Sequence, residues 1–445
     1  MSDSTRRDFA KGAALATAAS YSKIMGANDR LRMGYIGVGN RGDQVHDAFL
    51  ETGSNETVAV CDLREDYMDF AVKKSRANPK KYKEYRDLLA DKDVDAVAIA
   101  SPDHWHALMF IDACNAGKDV YVEKPLSLTV VEGRKMVEAA ERTRRVSQVG
   151  TQRRSTASLI EAADFVRSGG IGHVTVAKSY HLENEWPNGI GNPPDTNPPS
   201  EKEWDMWLGP APKVPYNINR SYYKFRWFRD YSGGQLTNYG VHNVDMIRWA
   251  LGLEYPRRVT ALGGKYVVKD NREIPDTLEV IWEYDGGTLM SFSHYDASAA
   301  SQNPPRAEIE LRGTKGTMYL MGGRWQVVPE QITDLAFFAR TPLDRESERA
   351  YKPSHKPAME PISNGKGVES TPSHARNFVE CVKTRKKCNA DVLIGHVSTV
   401  TTLLGNIALK TRSLFEWDGN AERFTNHEAA NRLLFYKYRA PYRLA

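Results

Sequence analysis

Met33-Gly34-Tyr35-Ile36-Gly37-Val38-Gly39-Asn40-Arg41-Gly42 is the stretch on which the fold turns. Its first five residues read as a short buried β-strand, and Asp43 to Glu51 reads as a helix. Between them stands G-x-G-x-x-G. Gly37 permits a tight turn, Gly39 lets the backbone approach a pyrophosphate, and Gly42 lets helix and strand pack closely. The N-terminus of the helix offers free N–H groups and partial positive charge to phosphates. Alone the motif is weak, since any glycine-rich turn can match it. Its context is stronger: a second strand, Thr57 to Cys61, ends at Asp62, twenty-five residues after Gly37. A carboxylate there would accept hydrogen bonds from the adenosine ribose hydroxyls and would repel a 2′-phosphate. The reading is NAD, with Asn40 and Arg41 in the phosphate turn. Arg41 and Arg64 could neutralise a 2′-phosphate, which leaves NADP open.

Outward from this motif the alternation continues. Val94 to Ser101 reads as a buried strand, Ala107 to Gly117 as a helix, and Val120 to Glu123 as a strand. Val131 to Thr143 is a helix and Val146 to Gly150 a last strand. Strands separated by helices predict a doubly wound parallel sheet, a Rossmann domain over residues 31–150. Beyond it the period changes. Val174, Val176, Tyr180 and Leu182 alternate with polar residues, and hairpins are predicted around Asp285-Gly286-Gly287 and Gly313 to Gly316. These features predict a second α/β domain, residues 151–425, with a large, mostly antiparallel open sheet, followed by a tail at 426–445. Trp186 to Pro215, dense in Pro, Asn and Gly, reads as one long loop, and 329–372 as a second irregular stretch. Helices are expected at Ile160 to Ser168, Ser373 to Thr384 and Val397 to Thr411.

The 445 residues carry 61 basic and 56 acidic side chains, a net charge of +5 too dispersed to argue for nucleic acid. No run approaches the ~18 apolar residues of a membrane span. Four cysteines lack metal-ligand spacing, and the histidine–carboxylate pairs form no ligand motif, so no metal is expected. Thr5-Arg6-Arg7-Asp8-Phe9-Ala10-Lys11, followed by an Ala-rich stretch, matches a twin-arginine export signal. Residues 1–25 are therefore set apart from the fold, and a periplasmic or otherwise exported location is expected.

Val120-Tyr121-Val122 runs into Glu123-Lys124-Pro125. Ligands of open parallel sheets sit beyond the carboxyl ends of the strands, so Lys124 would emerge beside the cofactor. Proline restrains its own φ and the residue before it. As an isolated tripeptide this would be a surface ion pair. Ser101-Pro102-Asp103-His104-Trp105-His106 follows the preceding buried strand and would line the nicotinamide half of the cleft. His106 reads as a structural residue at a helix start rather than a catalyst.

With these motifs in register, the chain resembles the glucose-fructose oxidoreductase / inositol dehydrogenase (Gfo/Idh/MocA) family. Trp207-Leu208-Gly209, Gly233-Gly234-Gln235-Leu236-Thr237-Asn238-Tyr239-Gly240-Val241-His242 and His374-Ala375-Arg376-Asn377-Phe378 extend the resemblance from Leu31 to Trp417. It implies a Rossmann domain followed by an α/β domain whose open sheet supports homo-oligomers. It also implies that Lys124 and Pro125, with Glu123, Ser101, Pro102 and His106, lie at the nicotinamide, and that His242 accepts the substrate proton. Many members have aspartate four residues before that histidine, whereas this chain has Asn238. Asparagine can orient the imidazole or bind substrate, but it brings no charge to raise the histidine pKa.

Substrate contacts are expected from Arg153, His181, Glu183, Trp207 and His294. The implied activity is oxidation of a secondary hydroxyl of a sugar, polyol or glycoside, with a tightly held nicotinamide cofactor. Two other readings compete with it. One is a glycoside hydrolase or lyase that uses transient C3 oxidation, as in family 109. The other is a non-catalytic NAD-binding sugar sensor.

Overall fold

The structure is a computed structural model and describes residues 30–75, 77–300, 307–333, 343, 355–364 and 367–444. The export-signal reading of residues 1–25 lies outside the described residues.

The first layer is a six-stranded parallel sheet. Its elements follow in chain order: β1 (Leu31–Ile36), α1 (Asn40–Thr52), β2 (Asn55–Cys61), α2 (Glu65–Ser75), β3 (Lys80–Tyr82), α3 (Tyr85–Ala90), β4 (Ala96–Ile99), α4 (Asp103–Asn115), β5 (Asp119–Val122), α5 (Val130–Thr143) and β6 (Ser147–Val149). The strand order is β3-β2-β1-β4-β5-β6. Every residue of β4 and β5 is buried, because helices cover both faces. On one face Phe49 of α1 packs edge-on against Tyr121. On the other, Phe110 of α4 and Met136 of α5 join the apolar side chains of β5. The chain reverses direction across the sheet between β1 and β4. The crevice expected at such a switch point therefore opens between the Gly37 turn and the Ser101 turn.

The second layer is a ten-stranded mixed sheet with the order β16-β13-β12-β11-β7-β10-β9-β8-β17-β18. Its first strand, β7 (Val174–Leu182), follows α6 (Ala157–Arg167); after it come α7 (Glu201–Leu208), α8 (Gln235–Asn238) and α9 (Gly240–Leu251). The strands continue with β8 (Arg258–Gly264), β9 (Thr277–Tyr284), β10 (Thr288–Tyr295), β11 (Ile309–Gly313), β12 (Gly316–Met321) and β13 (Arg324–Pro329). β14 (Gln331–Thr333) and β15 (His355–Pro357) form a separate ribbon, and β16 (Ile362–Asn364) completes that edge. α10 (Thr371–Thr384), α11 (Val392–Thr411), β17 (Phe415–Asp418), β18 (Arg423–Phe424) and α12 (Glu428–Asn431) finish the chain. Most pairings are antiparallel, but β7 and β10 run parallel. Helices α6, α9 and α11 bury one face in a single core. The other face leaves Leu262, Ile281 and Leu289 exposed on three adjacent strands.

Three findings differ from the sequence reading. The segment Trp186 to Pro215 is not one continuous loop. It contains α7, started by Ser200, whose hydroxyl accepts the Glu203 N–H, and the Pro density before it masks this cap. α11 is longer than expected, and among the described helices it alone is long and apolar enough to cross a membrane. Its residues are mostly buried in the protein, as in the core helix of a folded domain. The last segment also returns to the first layer: Tyr438 donates to Glu132 of α5, and Tyr442 packs edge-on against Trp105 of α4.

Candidate functional site

Two cavities meet above the carboxyl ends of β1, β4 and β5. The first follows the glycine turn, Asp62, the Ser101 turn and Lys124, and its far wall is Trp207, Phe225, Arg226 and Tyr442. The second lies between the sheets and is lined by Lys124, Arg153, Tyr239 and His242 among others. Asn40, Arg41, Lys124, Tyr223, Arg226 and Asn238 border both.

The glycine turn is sterically committed. Gly37 has φ +79°, and a Cβ there would lie 2.8 Å from the Ala100 backbone. A Cβ on Gly42 would sit 1.9 Å from the Gly37 carbonyl oxygen. At the head of α1, Gly39 supplies no side-chain cap, so the N–H groups of the first turn face the cavity. Asp62 is held by N–H donors from Val38 and Arg64, each 2.9 Å away. Burial raises its pKa, and these N–H donors oppose the rise. A carboxylate has about four acceptor positions, so two bonds leave capacity for ribose hydroxyls. The cradle fits a dinucleotide: phosphates at the α1 N-terminus and adenosine ribose at Asp62.

Glu123 is buried beneath this turn. It accepts from Arg41 Nε at 3.0 Å and from Tyr121 Oη at 3.2 Å. Gly150 leaves room for it, since a Cβ there would meet Oε1 at 2.6 Å. Lys124 follows through a cis peptide to Pro125 and reaches across to α8, where Nζ donates to Asn238 Oδ1 at 2.9 Å. Asn238 in turn donates to Gln235 Oε1 at 3.0 Å. Burial pulls the lysine down to about 8, although Glu123 and Asp103 favour its charged form. His106 ties two walls together: Nδ1 is 2.8 Å from the Pro125 carbonyl and Nε2 is 2.9 Å from that of Ser101.

His242 lies in the first turn of α9 and faces the second cavity. Its Nδ1 is buried and has no protein partner. Burial, followed by the Lys124 charge, holds its pKa well below the usual imidazole range, so the ring is neutral near pH 7.

The residues expected to bind substrate fall into separate places. Arg153 lines the second cavity, but its guanidinium is already engaged. It donates to Glu369 at 2.7 Å, to Asn243 at 2.7 Å and to Glu308. Trp207 lines the first cavity rather than the second, stacked on Trp204 at 5.1 Å, with its carbonyl accepting from Trp105. His181, Glu183 and His294 are not brought to either cavity wall. Strand parity turns both histidines toward the helix-covered face, their rings 5.6 Å apart, and His181 lies against Tyr239 at 4.4 Å. His294 hydrogen-bonds Asp296 at 2.6 Å, and Asp296 also accepts from buried Arg272. Glu183 is exposed, with its carboxylate 3.5 Å from His181 Nε2. Among the described residues no group of three or more His, Cys, Asp or Glu could hold a metal ion.

Tyr223, Phe225, Arg226 and Tyr442 were missed by the sequence reading. The first three come from the short 3₁₀ stretch Tyr222–Trp227, and the dense aromatic and basic character of Y-Y-K-F-R-W was the available signal.

A nucleotide cradle joined to a lysine- and histidine-lined cavity defines a dinucleotide-dependent oxidoreductase architecture. Comparison with known families agrees. Residues 31–151 match the oxidoreductase family model for an NAD-binding Rossmann fold, and residues 166–262 and 362–444 match that family's C-terminal alpha/beta domain. The chain belongs to the GFO_IDH_MocA oxidoreductase family, and its N-terminal layer is an NAD-binding Rossmann fold. It is similar to a glycosyl hydrolase family 109 protein of Shewanella putrefaciens, 41% identical over 125 residues. That match covers 26% of this chain and 27% of the relative. An inositol 2-dehydrogenase of Salmonella paratyphi B is 33% identical over 153 residues, 34% of this chain and 46% of that protein. The chain thus matches less than half the length of either relative. In fold it resembles a levoglucosan dehydrogenase solved with NADH and levoglucosan, with a TM-score of 0.63 at 18% identity over 87% of this chain and 99% of that one.

Proposed function

We propose that this protein is an NAD-dependent oxidoreductase acting on a secondary hydroxyl of a sugar, polyol or glycoside. The observation that carries the reading is the junction of the cavities: Lys124 Nζ stands 2.9 Å from Asn238 on the wall bordering both, and His242 opens into the second. NAD, when bound, supplies the hydride acceptor. His242 takes the hydroxyl proton, because its ring lines the second cavity and is neutral at working pH. Lys124, charged below about pH 8, donates to the oxygen as negative charge develops there. Asn238 aims the lysine. Arg41 and Glu123 hold the phosphate turn against the strand that carries Lys124. The test is absorbance at 340 nm while sugars, polyols and glycosides are offered with NAD and then NADP. A protein that binds no nucleotide would end the reading.

The 41% match to a family 109 glycosyl hydrolase supports a second reading, cleavage of a glycoside by transient oxidation and elimination. Release of nitrophenol from aryl glycosides with no net NADH separates the two.

The twin-arginine arm supports export, and export in turn favours a retained cofactor. Cell fractionation with and without Arg6→Lys/Arg7→Lys tests the first, and nucleotide content of the purified protein tests the second. The exposed Leu262, Ile281 and Leu289 on the open sheet support a homo-oligomer. Light scattering of wild type and Ile281→Lys checks it.

A further inference from the structure

The charges around the second cavity do not balance. Arg41, Lys124, Arg153, Arg226 and Arg324 line it, against two carboxylates, Glu308 and Glu369. Both carboxylates are spent on Arg153, and Arg41 is paired with Glu123. Arg226 has no carboxylate partner among the described residues. Its guanidinium lies over the ring of Tyr223, 4.0 Å from the centroid, and Nη1 donates to the Tyr223 hydroxyl at 3.2 Å. Nε is buried and makes no hydrogen bond. A buried N–H without an acceptor is costly, and an aromatic face already holds this cation in place.

Arg226 borders both cavities together with Lys124 and Asn238. It therefore faces the reacting end of a substrate rather than its far end. A guanidinium presents a planar fork that matches a carboxylate bidentately. We propose that the substrate is an anionic sugar of the hexuronate class, whose carboxylate is bound by Arg226 within one or two carbons of the reacting carbinol. This rests on the oxidoreductase reading above. The reaction it orients is balanced: the carbinol C–H pair leaves as hydride to bound NAD, the hydroxyl proton passes to His242, and the C–O bond becomes a carbonyl. The carboxylate is unchanged. Arg226 acts in selection, and its specificity is for the acid over the neutral sugar of the same configuration.

The experiment compares glucuronate and galacturonate with glucose and galactose, both by NADH formation and by calorimetric titration into NADH-loaded protein. Wild type is expected to bind the acids tighter. Arg226→Gln is expected to raise the acid KM on the order of 10- to 100-fold, the worth of a charged hydrogen-bonded pair, and to erase the acid/neutral ratio. Arg226→Lys should restore part of it. NADH affinity of each variant is measured by fluorescence titration. Equal or better binding of the neutral sugars by wild type overturns the proposal and leaves the oxidoreductase reading standing. A loss of NADH affinity matching the loss of acid affinity also overturns it, because Arg226 would then serve the cofactor. Arg226-dependent binding of the acid with no NADH formed supports the acid specificity and sinks the oxidoreductase reading instead.

Discussion

The two walls of the cleft are built on opposite plans. The nucleotide wall is the more complete: Asp62 and Glu123 have protein partners, Arg41 bonds through Nε and Nη1 and leaves only Nη2 buried and unpartnered, and Gly37 and Gly42 tolerate no added atom. The substrate wall is unfinished, with His242 Nδ1 and Arg226 Nε buried and unpartnered. Orphaned donors and acceptors on that wall are the places where a ligand completes the hydrogen bonding, and they mark chemistry and selection.

The largest expected effect breaks the substrate wall alone. His242→Gln keeps polar bulk but removes the proposed base, and should lower kcat by about 10²- to 10⁴-fold. NADH affinity should stay within a few-fold, because the nucleotide wall is untouched. A variant that turns over normally would return His242 to a purely structural role. Lys124→Met should cost about 10²- to 10³-fold, the usual loss when a donor to a developing oxyanion is removed. Steady-state kinetics with a fluorescence titration of NADH separates its effect on chemistry from any effect on binding.

The same contrast explains what was legible in the sequence. The nucleotide wall is made of contiguous motifs, because a tight turn at a strand end fixes both residue type and spacing. Gly37 to Gly42, Asp62 and Glu123-Lys124-Pro125 could be read for that reason. The alternation of strand and helix over residues 31–150 followed from buried runs such as Ala96–Ile99, which local hydrophobicity reveals. The substrate wall is tertiary. Arg226 arrives from a six-residue 3₁₀ stretch with no periodic signature, and Tyr442 from a tail that folds back on α4. His181 and His294 share the alternation of their strands with many residues. Only the position of α9 shows that their side of the sheet is covered, so they form a buried layer behind Tyr239. The α7 helix was hidden by the Pro-rich chain before it.

A smaller effect sharpens the nucleotide wall. Asp62→Asn keeps the shape but removes the charge that binds ribose hydroxyls and repels a 2′-phosphate. NAD affinity should fall about 10-fold, within the range for a hydrogen bond to a charged group, while NADP gains relative to NAD. The ratio of the two Kd values is the readout. An unchanged ratio would mean that Asp62 serves only its bonds to Val38 and Arg64.

The smallest change tests the contact between the walls. Asn238 accepts from Lys124 at 2.9 Å without charge. Burial therefore leaves the lysine at about 8, and the protonated form that the mechanism requires is lost as pH rises through that value. Activity should accordingly fall on the alkaline side near pH 8. Asn238→Asp places a negative charge at hydrogen-bonding distance from Nζ, which favours the ammonium and raises its pKa by about one to two units. The alkaline limb should move up by the same amount. His242 works as a neutral base, and its pKa is depressed by burial and by the Lys124 charge. A carboxylate at position 238 offsets part of that depression, so the acid limb moves up as well. Both limbs therefore shift the same way, and the kcat/KM profile should translate to higher pH rather than widen. An alkaline limb that stays in place would detach Lys124 from the rate, even if Lys124→Met is inactive through misfolding. If activity instead rises through pH 8 in the wild type, neutral lysine is the base, and the two walls exchange the roles of donor and acceptor.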